Sequence, residues 1–324
     1  MSAHTFPTHL LNPLLIILGP TASGKTHLAN QVAARINGEI LSVDSRQVYR
    51  GMNIGTGKDL EEYILGGQKI PYHLIDILDA GEKYNVNLFQ KDFQTSFLDI
   101  TARKKTAIAC GGTGFYFYAL FKGHSYTDIP VDEKLRELLE RNSNEELLML
   151  FKNLHTSYQD LADTTTRKRL IRAIEISTFL LQNPEKENEL QTDSATSYSP
   201  IIFGLNPPAE IRRERITQRL DYRLKNGLIE EVESLLKSGI SPGDLIYYGL
   251  EYKFVTQYIT GVIGYEEMSK RLETEIHRFG KRQMTFFRKM EKDGIAINWL
   301  DYNKEEEENI NRIITAYNSF IQNI

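Results

Sequence analysis

Cysteine is all but missing: 324 residues contain only Cys110. No internal disulfide can form, and one thiol without clustered histidines makes no metal site, so a buried, inert thiol is expected. Long hydrophobic runs are missing too. No stretch approaches the ~20 apolar residues that a membrane span requires, and the opening MSAHTFPTHLLNP has no basic region leading into a long apolar core with a small-residue cleavage site. A cytoplasmic protein with no membrane association is the expectation. Positive charge is not in excess, since 39 Lys and Arg against 43 Asp and Glu leave −4. That argues against a non-specific coat on nucleic acid, while a reader of one folded RNA needs only a local basic face. Internal repeats and coiled-coil seams are absent, which makes a monomer the default. What remains is ordinary for a globular chain, 41% hydrophobic and 25% charged, and long enough for a large core with a smaller second lobe.

Local basic faces do occur. RKRLIR (167–172), IRRERITQRLDYRLK (211–225) and HRFGKRQMTFFRKMEK (277–292) are each rich in Arg and Lys, whereas NKEEEEN (303–309) is acidic. One such segment is commonly just a solvated helix face; three together favour a polyanionic partner. Apolar runs bounded by Gly and Pro give strands at 14–18, 38–45, 72–78, 104–112 and 200–205, with helical patterns at 27–36, 86–103 and 114–122. This alternation predicts a parallel sheet with helices on both faces. Strand signals vanish from about 130 to 183, where helices are expected, and the polar segment 182–200 reads as a mobile link. Helices follow around 208–238, 243–260 and 265–292, then a last strand at 295–300 and a terminal helix. The expected division is a core from 1–122, an inserted helical lobe from 123–199, and the core's continuation from 200–324.

ILGPTASGKT carries the chemistry. Gly19, Gly24, Lys25 and Thr26 fill the spacing G-x-x-x-x-G-K-[ST] between a strand and a helix, the context that a phosphate-binding loop requires. Through Gly19, Pro20, Thr21, Ala22, Ser23 and Gly24, backbone N–H groups can converge on phosphate oxygens at a helix N-terminus. Lys25 can span two phosphates, and the Thr26 hydroxyl can hold Mg²⁺. Two features of nucleotide hydrolases are missing: the fourth strand ends IACGGTG rather than in an acidic residue, and no NKxD follows to specify guanine. The acidic residue instead ends strand two, as Asp44 in SVDSRQVY, where it could be a metal ligand, a general base or a helix cap. GGTGFYFYALFKG repeats the strand–glycine–helix arrangement and turns Thr113 toward the same crevice.

In this order, GPTASGKT, SVDSRQVYRGMNIGT, HLIDI, CGGTGFY, QRLDYRLKNGLIEEV and GKRQMTFFR resemble the tRNA dimethylallyltransferases, over most of residues 14 to 300. The resemblance implies a P-loop NTPase-like α/β core with an inserted helical lobe that grips the tRNA anticodon stem-loop. It implies that the cradled phosphates belong to dimethylallyl diphosphate. It gives Asp44 the role of base toward the adenine amine, puts Thr113 near the reacting groups, and gives Arg219 the donor's diphosphate, with Mg²⁺ as cofactor. Asp44, Ser45, Arg46, Gln47 and Thr113 would meet the tRNA near a flipped adenosine, and Lys168, Arg169 and Arg172 would meet it through the lobe's basic helix. Arg136 is a further candidate there.

The sequence departs from the family pattern in three places. GTAKP is here GTGKD, with Gly57 and Asp59 replacing Ala and Pro, which bears on the rigidity of that loop. GYKE is Glu251, Tyr252, Lys253 and Phe254. TRQYAKRQ is IHRFGKRQ, with His277 and Arg278 replacing Arg and Gln. The residues themselves also admit a P-loop kinase of a small metabolite, a transferase acting on free adenine nucleotide, and a non-catalytic RNA-binding ATPase.

Overall fold

The computed structural model describes residues 12–122, 126, 129–159, 162–186 and 198–323. These fall into two compact units, one comprising residues up to Tyr118 and from Ser197 onward, the other Ala119–Thr196. The polar link expected at 182–200 lies mostly outside the described residues.

Among the described residues, the first unit is built on a six-stranded sheet. β1 (Pro13–Leu18), β2 (Gly38–Val43), β5 (Tyr72–His73), β6 (Thr106–Gly111), β7 (Ser199–Gly204) and β8 (Asn298–Trp299) lie in the order β5-β2-β6-β1-β7-β8, and every pairing is parallel. β3 (Ile64–Leu65) and β4 (Gln68–Lys69) form a separate antiparallel pair. β1 and β2 are buried almost throughout, β1 with an entirely apolar sequence, because both faces of a parallel sheet are covered. Leu15, Ile17, Ile40 and Ile108 pack with Leu28, Ala29 and Val32 of α1 (Lys25–Arg35) and with Ile310, Ile313 and Tyr317 of the last helix (Glu306–Gln322). The alternate residues Leu14, Ile16 and Leu18 point the opposite way and are equally buried. α2 (Val86–Ala102) packs against β2 and β6 with Phe89, Phe93 and Phe97 inward, and α3 (Gly114–Lys122) follows β6.

Several expected elements differ in extent. The strand expected at 72–78 pairs only at Tyr72–His73, with one further bridge between Tyr49 and Leu78. Leu74 and Asp76 adopt positive φ, which no continuous strand accommodates. The helix expected at 208–238 is two: α7 (Ala209–Lys225) ends at Asn226, and Gly227 at φ 103 turns the chain into α8 (Leu228–Lys237). The helix expected at 243–260 is likewise divided, into α9 (Pro242–Tyr247) and α10 (Leu250–Ile259), by Gly249 at φ 141. α11 (Tyr265–Lys292) is continuous, its Met268, Leu272, Ile276, Met284 and Phe287 keeping one buried stripe.

In the second unit α4 (Glu133–Leu139), α5 (Asn144–Lys152) and α6 (Arg167–Gln182) begin at Asp132, Ser143 and Thr166. Each of these accepts a first-turn N–H through its side chain, a cap worth about 1 kcal/mol. Leu139, Leu147, Phe151, Leu170, Ile171 and Ile174 form their common core. Among the described residues no helix is long and apolar enough to cross a membrane.

Candidate active site

The sheet register brings the expected residues together. Leu18 of β1 and Val43 of β2 both pair with Gly111 of β6, so all three strands end at one level. The next residues, Gly19, Asp44 and Gly112, therefore start three loops side by side at the carboxyl edge, where ligands of parallel sheets bind. β6 must end in glycine: a Cβ at Gly111 would lie 2.1 Å from the Val43 carbonyl oxygen. Over these loops opens a cavity of about 880 Å³, lined by Thr21 to Thr26, Asp44 to Gln47, Thr113 and Arg219.

On the phosphate side, Ala22 at φ 60 and Gly24 at φ 87 alternate with neighbours of ordinary backbone conformation, the turn geometry that gathers N–H groups into an anion-binding concavity. α1 starts at Lys25, directly behind it. Lys25 Nζ rests 3.4 Å from the Pro20 carbonyl. Burial lowers the Lys25 pKa, while Cys110 and Asp44 oppose the shift. The Arg219 guanidinium donates to the Thr21 hydroxyl. Burial lowers its pKa to about 10, with Arg223 acting in the same direction and Glu251, Asp59 and Glu62 against it, so it stays charged at neutral pH. A partly buried cation offset only in part by nearby acids is a strong anion site. Cys110 is buried beneath the loop, its pKa pushed up to about 12 by burial, as an inert thiol should be.

On the other side, Asp44 Oδ1 accepts the Arg46 N–H at 2.8 Å, so the carboxylate closes a local turn rather than capping a helix. The Thr113 hydroxyl accepts the Ser45 N–H at 3.3 Å, and the Thr113 N–H donates to Val43 O at 3.3 Å. These bonds tie Asp44 and Thr113 to one frame. Gln47 is held by Ser42 at 3.0 Å and by Gly57 O at 3.1 Å, and the Arg46 guanidinium lies 4.9 Å over the Tyr247 ring.

Three of the four basic candidates on the helical unit, Arg136, Arg169 and Arg172, are engaged within it. Glu175, 2% exposed, pairs with Arg136 at 2.8 Å and Arg172 at 3.4 Å. Arg172 also donates to Ile129 O at 2.6 Å, and Arg169 pairs with Asp163 at 2.8 Å. Arg136 and Arg172 thus hold the helical unit together internally, and Arg169 is tied to its own helix start. Lys168, exposed on α6, makes no such bond among the described residues.

The cavity also holds residues that motif reading passed over. Arg223 follows Arg219 by one helical turn and pairs with Asp59 at 3.2 Å, a spacing visible in QRLDYRLK. Glu62 and Glu251 line the wall as carboxyls whose pKa values burial raises. Gln283 binds the Thr21 N–H at 2.8 Å and Gly112 O at 2.9 Å. The sequence departures acquire local reasons. Gly57 adopts φ 68 against the Arg223 guanidinium, and Asp59 is the partner of Arg223. The loop is braced by Glu231, which accepts the N–H groups of Asn53, Ile54 and Gly55 at 2.8 to 3.0 Å. Tyr252 donates to the same carboxylate at 2.7 Å. His277 and Arg278 face Glu273 and Glu275 on their own helix, at 3.6 and 2.6 Å.

A model of the family described as IPP transferase matches residues 47–290, and one described as isopentenyl transferase matches residues 12–78. Over 301 residues the chain is 49% identical to a tRNA dimethylallyltransferase 2 of Bacteroides fragilis, covering 92% of this chain and 95% of that protein. It is 47% identical to a tRNA dimethylallyltransferase 1 of Porphyromonas gingivalis, covering 94% and 99%. The crystal structure of the full-length tRNA isopentenylpyrophosphate transferase from Bacillus halodurans superimposes with a TM-score of 0.68 at 30% identity, covering 97% of this chain and 100% of that one.

Proposed function

From the premise that this chain belongs to the IPP transferase family, we propose that it transfers a dimethylallyl group from dimethylallyl diphosphate to N6 of the adenosine 3′ to the anticodon of a tRNA, releasing pyrophosphate. The observation that carries this reading is the common level of three strand ends, which puts an anion cradle and a carboxylate in one cavity. A diphosphate presents the same cluster of anionic oxygens as the end of a nucleotide, so the cradle serves a leaving group while the chemistry moves to carbon. Negative charge grows on the pyrophosphate as the allylic C–O bond breaks. Lys25, Arg219 and the phosphate loop line the cavity where that charge would develop and are the groups that would stabilise it. The adenine amine is a weak nucleophile because its lone pair is delocalised into the ring. Asp44 takes its proton as the N–C bond forms, and Thr113 holds the reacting groups in place.

Magnesium fits this reading as an ion held mainly by the donor's phosphates. Thr26 offers one hydroxyl at the start of α1, and no group of three His, Cys, Asp or Glu is gathered among the described residues, so the substrate would supply most of the oxygen ligands. Its chemistry there would be to neutralise charge on the diphosphate. The acceptor adenosine must leave its stack to enter the cavity, at a cost of a few kcal/mol. Ser45, Arg46 and Gln47 at the rim, and Lys168 on the helical unit, are the residues we assign to compensating contacts with the anticodon stem-loop. The test is mass analysis of tRNA nucleosides after incubation with purified protein, Mg²⁺ and dimethylallyl diphosphate. An added five-carbon unit on adenosine is expected. Its absence, or ATP consumption that depends on a small acceptor, would overturn the reading.

A further inference from the structure

Gly280, Gln283 and Phe286 recur every third residue on α11 and so share one stripe of its surface. That stripe lies against both loops of the site. A Cβ at Gly280 would sit 3.5 Å from Thr21 Cγ2, one at Gly112 only 2.5 Å from Gln283 Nε2, and one at Gly114 only 2.5 Å from the Phe286 ring. At the centre, Gln283 is 8% exposed. Its Oε1 accepts the Thr21 N–H at 2.8 Å and its Nε2 donates to Gly112 O at 2.9 Å. Thr21 belongs to the phosphate loop, and Gly112 immediately precedes Thr113.

We propose that Gln283 is a positioning residue for the transfer, its amide setting the separation between the loop that holds the leaving diphosphate and the loop that carries Thr113. The inference rests on the prenyl-transfer reading above. Only a group with an acceptor and a donor on one carbon can satisfy both partners: a leucine offers neither, and a carboxylate accepts from Thr21 but repels the Gly112 carbonyl. The two loops hold opposite ends of the reacting line, so a shift of about 1 Å between them lowers the rate about 100-fold.

The experiment compares wild type, Q283L and Q283E for kcat, tRNA affinity and Tm. Q283L is expected to lose about 100-fold in kcat per folded molecule while its tRNA Kd is unchanged. Q283E is expected to be similarly impaired at neutral pH, and its activity relative to wild type should rise as the pH is lowered, because the protonated acid regains a donor toward Gly112 O. A role confined to packing would not produce that pH dependence. Normal kcat in folded Q283L, or a Q283E ratio that stays flat with pH, overturns the proposal; if Q283L does not fold, the Q283E ratio decides alone. An inactive wild type would count against prenyl transfer rather than against the brace. The brace is then read by calorimetry with inorganic pyrophosphate, where Q283L should bind about tenfold more weakly, because the phosphate loop must be ordered without its bond to Gln283, and equal binding overturns it.

Discussion

Asp44 performs two separable tasks, and two substitutions separate them. Its Oδ1 accepts the Arg46 N–H at 2.8 Å, which shapes the turn carrying Ser45, Arg46 and Gln47, and its carboxylate is the proposed base. Asn keeps an oxygen in place for the Arg46 N–H and removes the base; Ala removes both. General-base catalysis contributes roughly 10²- to 10⁴-fold, or about 3–5 kcal/mol of barrier, whereas one turn hydrogen bond contributes about 1 kcal/mol of stability. D44N and D44A should therefore lose the same 10²- to 10⁴-fold in kcat, to order of magnitude, and D44A alone should lose a further ~1 kcal/mol in urea unfolding. Prenylated adenosine is counted by mass spectrometry under single-turnover conditions, with tRNA binding measured in parallel and expected to stay near wild type. Retention of more than about a tenth of wild-type kcat in D44N would remove Asp44 as the base. A loss that followed tRNA affinity would make Asp44 a binding group.

Replacing Arg219 by Gln removes the partly buried cation beside Thr21 and should lower kcat about 10²- to 10³-fold while weakening inorganic pyrophosphate in calorimetry; unchanged pyrophosphate affinity would count against its role. The Glu39 carboxyl, buried on β2, is lowered from 4.5 to about 2, chiefly by hydrogen bonds from Arg103, with His73 assisting. A depressed acid stabilises the fold above its unfolded pKa and loses that contribution as the pH falls through its folded one. At most about 3 kcal/mol should thus disappear between pH 4.5 and about 2. The figure is smaller in practice because Arg103 is 42% exposed. E39Q should flatten the stability curve across that window, and an unchanged curve would refute the pairing. G111A drives a methyl into the Val43 carbonyl and should cost at least the ~1–3 kcal/mol of an overpacked core, read by urea unfolding; a neutral result would mean that β2 and β6 can part without penalty.

The sequence alone was enough for whatever depends on local spacing. Gly19, Gly24, Lys25 and Thr26 fit their pattern only with a strand before and a helix after, and the order of apolar runs identified a parallel α/β core. Asp44 and Thr113 were readable because each follows a buried strand, and the carboxyl ends of parallel strands share one edge. Contacts between distant parts of the chain were decided by the tertiary structure. That Arg136 and Arg172 share the buried Glu175 is not legible along the chain. Gly57 and Asp59 leave the rigidity of their loop open until Arg223, 164 positions from Asp59 along the chain, is found against both. Gln283 has no role legible from GKRQMTFFR, because nothing in its neighbourhood along the chain indicates that Thr21 and Gly112, 262 and 171 positions away, lie beside it. Periodicity and turn chemistry act over a few residues and are written in the sequence; the pairing of buried polar groups depends on which surfaces the packed core brings together.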